Sequence, residues 1–90
     1  MLTIWKFDLQ PAVFTLQTVH MPQGAIVRSA GTADGDRPCI WAEVFTDRPV
    51  EARRFSVCWT GQSLPAGERA SFIGTVVLNT GIVCHVYERP

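Results

Sequence analysis

No window of this sequence repeats apolar residues at i, i+3, i+4 and i+7 over the length of an ordinary helix. Short runs whose side chains alternate with period two recur from end to end instead. That absence is the strongest constraint on the fold, because the core must then be built from pleated strands. "LTIWKFDL" (2–9) puts Trp5, Phe7 and Leu9 on one side and Ile4, Lys6 and Asp8 on the other, and Gln10-Pro11 breaks it. "AVFTLQTVH" (12–20) alternates Phe14 and Leu16 against Thr15 and Gln17. "MPQG" (21–24) reads as a turn, "AIVRSA" (25–30) as a strand, and "GTADGDR" (31–37) as a hairpin loop with Asp34-Gly35 at its tip. Further strands follow at 39–45, 50–59, 70–78 and 82–88, separated by "TDRP", "TGQSLPAGER" and "NTG".

The spacing predicts an all-β domain over residues 1–90. About seven short antiparallel strands form a small sandwich or partly open barrel. At most one short helical turn fits near 64–69, where Pro65 and Gly67 work against it. The most apolar runs, near 40, 57, 76 and 84, are expected in the sheet centres. The first strand, with Lys6 and Asp8, is expected at an edge or a shared boundary.

"CIWAEVF" (39–45) raises a packing problem. Cys39, Trp41 and Phe45 share one face, Ile40, Ala42 and Val44 the other, and only Glu43 interrupts the apolar character. Two apolar faces need two covers. One face packs into the domain. The other is covered either by a second copy of the chain or by the long loop 60–69 folding over it. Trp5, Trp41 and Phe45 are the expected interface residues, tryptophan being enriched at interface centres.

Eight basic and eight acidic residues cancel, which argues against general nucleic-acid binding, since that depends on many phosphate contacts. Seven of the eight cations are arginine, the side chain whose planar fork suits carboxylate and phosphate. Cys39, Cys58 and Cys84 form no CxxC pair and have no His at zinc-ligand spacing, so no metal site or disulfide framework is expected. Lone cysteines inside apolar runs fit a reducing cytosol. "MLTIWKF" is not a secretion signal and no apolar stretch reaches 18 residues, so a cytoplasmic protein with no membrane contact is expected. GxSxG, P-loop, HExxH and dinucleotide fingerprints are absent. His20 and His85 have no acidic residue placed locally to orient them. The expectation is no catalytic residues, no cofactor and no enzymatic activity. A dyad of Cys58 or Cys84 with a histidine on a neighbouring strand is the one nucleophilic arrangement the strands allow.

The constellation richest in chemistry is "RRFSVCWTGQSLP" (53–65). Arg53 and Arg54 enter a strand, Trp59 stands near its end, and Thr60-Gly61-Gln62 opens the long loop. Glycine allows close backbone approach, turn amides cradle anions, and an indole stacks on a base. With Lys6, these residues (Arg53, Arg54, Trp59, Thr60, Gly61 and Gln62) form a candidate pocket for a small, nucleotide-like anion. The alternative is a plain turn glycine with Trp59 in the core.

"TIWKF" (3–7), "MPQGA" (21–25), "IWAEV" (40–44), "RRFSV" with "TG" (53–61), "FIGTV" (72–76) and "VCHVYE" (83–88) together span nearly the whole chain. In these pieces the chain resembles a family of small uncharacterised proteins encoded by bacteriophages and prophages. Members of that family often carry His after the Thr-Gly pair, where this chain has Gln62. The resemblance implies an accessory protein that works by binding in the host cytosol, with no catalytic residues to carry over. One role it implies is a homo-oligomer that sequesters a small anionic, nucleotide-like signal of host defence. Another is a protein–protein inhibitor of a host defence complex, in the manner of anti-CRISPR proteins. A third is a minor virion or assembly component.

Overall fold

A computed structural model of the chain describes residues 1–11, 16–64 and 69–90. It contains seven strands: β1 (Leu2–Asp8), β2 (Leu16–Pro22), β3 (Ile26–Gly31), β4 (Cys39–Phe45), β5 (Val50–Trp59), β6 (Ser71–Val77) and β7 (Val83–Arg89). The alternating pattern is therefore realised as an all-β fold, with every strand pair antiparallel. Two separate sheets form, a three-stranded one ordered β1-β4-β3 and a four-stranded one ordered β2-β5-β7-β6. The fold is sandwich-like, and no barrel closes. Residues 12–15, the start of the expected second strand, lie outside the described residues, as do 65–68, where a helical turn was expected.

Antiparallel neighbours in register share a face, so the core is read directly from the pairing. Ile40, Ala42 and Val44 of β4 point inward and are fully buried. They face Phe55 and Val57 of β5, Cys84 and Val86 of β7, Val76 of β6 and Met21 of β2. Leu9, Ala25 and Leu78 close the ends. β4, β5 and β7 are central and β1 is an edge, as their sequences suggest. β6 departs from expectation: it is an edge strand. Only Val76 of its apolar run is buried, while Phe72 and Val77 face outward. Its other edge packs against β3, so closely that a Cβ on Gly74 would lie 3.1 Å from the Ala30 Cβ.

The second face of β4 finds its cover largely within the chain. Cys39 is buried. The Trp41 ring lies on Gly31, where a Cβ would come within 2.9 Å of the indole. The Arg48 guanidinium stands 3.8 Å from the centroid of Phe45, and Glu43 accepts a hydrogen bond from Arg28 Nε at 2.8 Å. Leu2, Ile4 and Ile26 on the same side of the sheet remain exposed. Of the loop after β5, the described residues 60–62 and Leu64 lie beside His85 and Tyr87 of the other sheet. At one end the two hairpin tips meet, Asn79 N–H donating to Gly35 O at 2.7 Å.

Phe55 is the largest fully buried side chain and sits between the sheets. Phe55→Ala removes that contact and leaves a cavity, so a loss of about 3–5 kcal/mol in unfolding free energy is expected by urea titration.

Candidate functional site

The end of β5 builds its turn from its own residues. Gln62 N–H donates to Trp59 O at 3.1 Å, and Gln62 Oε1 accepts from Trp59 N–H at 2.8 Å. Gly61 between them has φ +90°, the left-handed region that favours glycine. Thr60 N–H reaches back to Val83 O at 3.3 Å. The side chain of Thr60 meets His85 Nε2 at 2.8 Å, and Thr75 Oγ1 meets His85 Nδ1 at 3.0 Å. One imidazole therefore ties the ends of β5 and β6 to β7 and holds a fixed ring plane. Both of its nitrogens are engaged by threonine hydroxyls.

An open hollow of 220 Å³ lies over this turn, walled by Trp59, Thr60, Gly61, Gln62, His85 and Tyr87. Trp59 also borders a second hollow of 470 Å³, next to Gln10, Asp36 and Leu78. Asp36 makes the second hollow a poor home for an anion.

Alternation along the strands assembles a larger surface around the first hollow. The outward face of the four-stranded sheet carries Arg54, Ser56 and Cys58 of β5 opposite Arg89, Tyr87 and His85 of β7. Phe72 and Thr75 of β6 continue it. Phe72 packs edge-on against Tyr87, ring centroids 5.4 Å apart. Arg54 is exposed and donates to the Pro90 carbonyl oxygen. Arg89 is buried opposite it. Among the described residues of the four strands, no carboxylate points to this side: Glu51 and Glu88 both lie on the inward side.

The structure brings Trp59, Thr60, Gly61 and Gln62 together and sets Arg54 on the same sheet face as His85 and Tyr87. It places Arg53 and Lys6 elsewhere. Arg53 points inward, where Nε and Nη2 pair bidentately with the Glu88 carboxylate at 2.5 and 2.9 Å and Nη1 donates to Ala25 O at 2.7 Å. The Glu88 carboxylate holds its guanidinium even further above the ordinary arginine range. Lys6 lies on the three-stranded sheet, 3.4 Å from Asp8. Trp5 and Trp41 belong to that sheet too, with Phe45.

Two residues of the surface, His85 and Tyr87, do not stand out in the sequence, because only the β5–β7 register sets them beside Arg54 and the turn. The same register makes Cys58 the direct neighbour of His85, but the imidazole nitrogens are committed to Thr60 and Thr75. Cys84 points into the core, and burial pushes its thiol up, away from the reactive thiolate. Among the described residues no group of three His, Cys, Asp or Glu side chains converges on a point where a metal ion would fit.

Fold and surface together define a two-sheet β domain with one aromatic, arginine-bearing face. The chain belongs to the family described as a domain of unknown function, DUF7352, whose model matches residues 1–90. No curated protein and no solved structure matches it.

A Cβ on Gly61 meets nothing within 4 Å, so only backbone strain opposes a larger residue there. Gly61→Ala is expected to lower stability by about 1–2 kcal/mol in chemical denaturation and to weaken the hydrogen bond of Thr60 to His85. The histidine ring resonances in NMR spectra report that bond.

Proposed function

We propose that the protein is a binding module. It takes a small, nucleotide-like anion on the outward face of its four-stranded sheet. The observation that carries this reading is the segregation of charge: a chain of zero net charge leaves one sheet face with Arg54, Arg89, His85 and Tyr87 and no carboxylate among the described residues of its four strands. An anion approaching that face meets no opposing charge from the strands. The phosphate is held by Arg54, which exchanges its exposed backbone partner at Pro90 for an anionic one. The planar part of the ligand stacks on Tyr87 at the hollow. Mechanistically this is sequestration: the hollow holds the ligand unchanged. The resemblance to phage-encoded proteins supplies the setting, an accessory protein in the host cytosol that lowers the free concentration of a defence signal. A homo-oligomer offers several such faces at once.

A second reading has its own observation. Leu2, Ile4 and Ile26 are exposed on the three-stranded sheet, which favours a protein partner such as a host defence complex. Affinity capture of a host protein with no small molecule retained is its mark.

Isothermal titration with a cyclic dinucleotide and with ADP tests the first reading. Wild-type protein is expected to bind at least one of them. Arg54→Ala is expected to lose about 1.5–3 kcal/mol of affinity, roughly 10- to 150-fold, with an unchanged β-sheet dichroism spectrum. Lys6→Ala, on the other sheet, is expected to bind like wild type. Heat that is absent for both ligands, or equal for wild type and Arg54→Ala, overturns the reading.

A further inference from the structure

β1 is an edge strand, paired with β4 on one side only. Thr46 N–H donates to Met1 O at 3.0 Å and Leu9 N–H donates to Pro38 O at 2.9 Å. In the regular β1–β4 register, residues 1, 3, 5, 7 and 9 therefore turn their backbone groups toward β4. The N–H and C=O groups of Leu2, Ile4, Lys6 and Asp8 point the other way, off the sheet. The remaining outer edges are occupied or interrupted. β3 and β6 pack on one another at Ala30 and Gly74. β2 is interrupted by Pro22, which lacks an N–H, and its Gln17 side chain exchanges two hydrogen bonds with the Gln10 backbone at 2.6 and 2.7 Å. β1 has no bulge and no proline, two of the devices that normally blunt an edge, and its one lysine, Lys6, is paired with Asp8 of the same strand at 3.4 Å. Its large apolar side chains are bare on both faces of the sheet: Leu2 is 54%, Ile4 59% and Trp5 42% exposed.

We propose that two chains join β1 to β1 across a two-fold axis, making one six-stranded sheet in the order β3-β4-β1-β1-β4-β3. The seven residues of the strand overlap fully only when Trp5 lies on the axis. In that register Leu2 stands opposite Asp8 of the second copy and Ile4 opposite its Lys6. Every outward-pointing residue meets an outward-pointing residue, as an antiparallel ladder requires, and about eight backbone hydrogen bonds form. On the outer side the Lys6 stem covers Ile4 of the second copy, while its ammonium stays beside its own Asp8. On the inner side the two Trp5 rings meet at a non-hydrogen-bonded pair, the closer of the two cross-strand spacings. The interface is isologous and closed, so pairing stops at two chains. This deepens the oligomeric half of the reading above and is independent of its ligand half, which titration calorimetry reads separately.

Sedimentation equilibrium and cross-linking test the pairing. Wild-type protein at micromolar concentration is expected at twice the 10.0 kDa chain mass. Ile4→Pro removes an outward N–H while sparing the hydrogen bonds to β4, and is expected to give a folded single chain. Should that variant fail to fold, oxidation of Trp5→Cys decides. Its Cα atoms would lie about 4.5 Å apart across the axis, within disulfide reach, so a covalent dimer is expected. Thr3→Cys and unmodified protein under the same oxidant are expected to remain single chains on a denaturing gel. A wild-type protein that sediments as one chain overturns the proposal. So does a folded Ile4→Pro that still dimerises, or a Thr3→Cys that cross-links as readily as Trp5→Cys.

Discussion

Phe55, in one core cluster with Ile40, Ala42 and Val44 of the facing sheet and Val57 and Val86 of its own, makes the contact on which the rest depends. A chain of this length buries only about 60–65% of its unfolded surface. Among the described residues there is no helix with which to cover a sheet. Each sheet must therefore cover the other, and both outward faces are left to be managed separately. The three-stranded sheet manages its own by local means, with Trp41 laid on Gly31, Arg48 over Phe45 and Arg28 paired to Glu43. The four-stranded sheet leaves a polar and aromatic surface instead.

Charge follows the same division. Asp8 and Glu43 belong to the three-stranded sheet, Asp34 and Asp36 to a hairpin tip, and Glu51 and Glu88 to the inward side, where they hold Arg53. Among the described strand residues, the outward face of the four-stranded sheet is thus left with arginine and no carboxylate. The bidentate Arg53–Glu88 pair, with its added bond to Ala25 O, fastens β5 and β7 to the start of β3. Arg53 and Arg54 are adjacent in sequence and opposite in role, because successive strand residues point to opposite faces.

That alternation was the legible part. Period-two patterning was enough to mark seven strands, and turn residues such as Asp34-Gly35 and Asn79-Thr80-Gly81 were enough to separate them. It also identified Ile40, Ala42 and Val44 as one face and β1 as an edge. It failed for β6, whose apolar "FIGTVVL" reads like a sheet centre, although Phe72 and Val77 project outward. Hydrophobicity cannot say which face of a strand is covered when the neighbouring strand is unknown. The candidate site was half legible for the same reason. The Trp59–Gln62 turn is local and could be read. Grouping Lys6 and Arg53 with Arg54 required cross-strand register, as did seeing His85 and Tyr87 beside it, and register is a long-range property.

The central claim is that recognition occurs on the outward face of the four-stranded sheet. Amide chemical-shift mapping of the isotopically labelled chain with a cyclic dinucleotide tests it most directly. Shifts confined to residues 54–62 and 83–89 are the expected result. Shifts centred on 2–8 and 39–45, or none at saturating ligand, would contradict it.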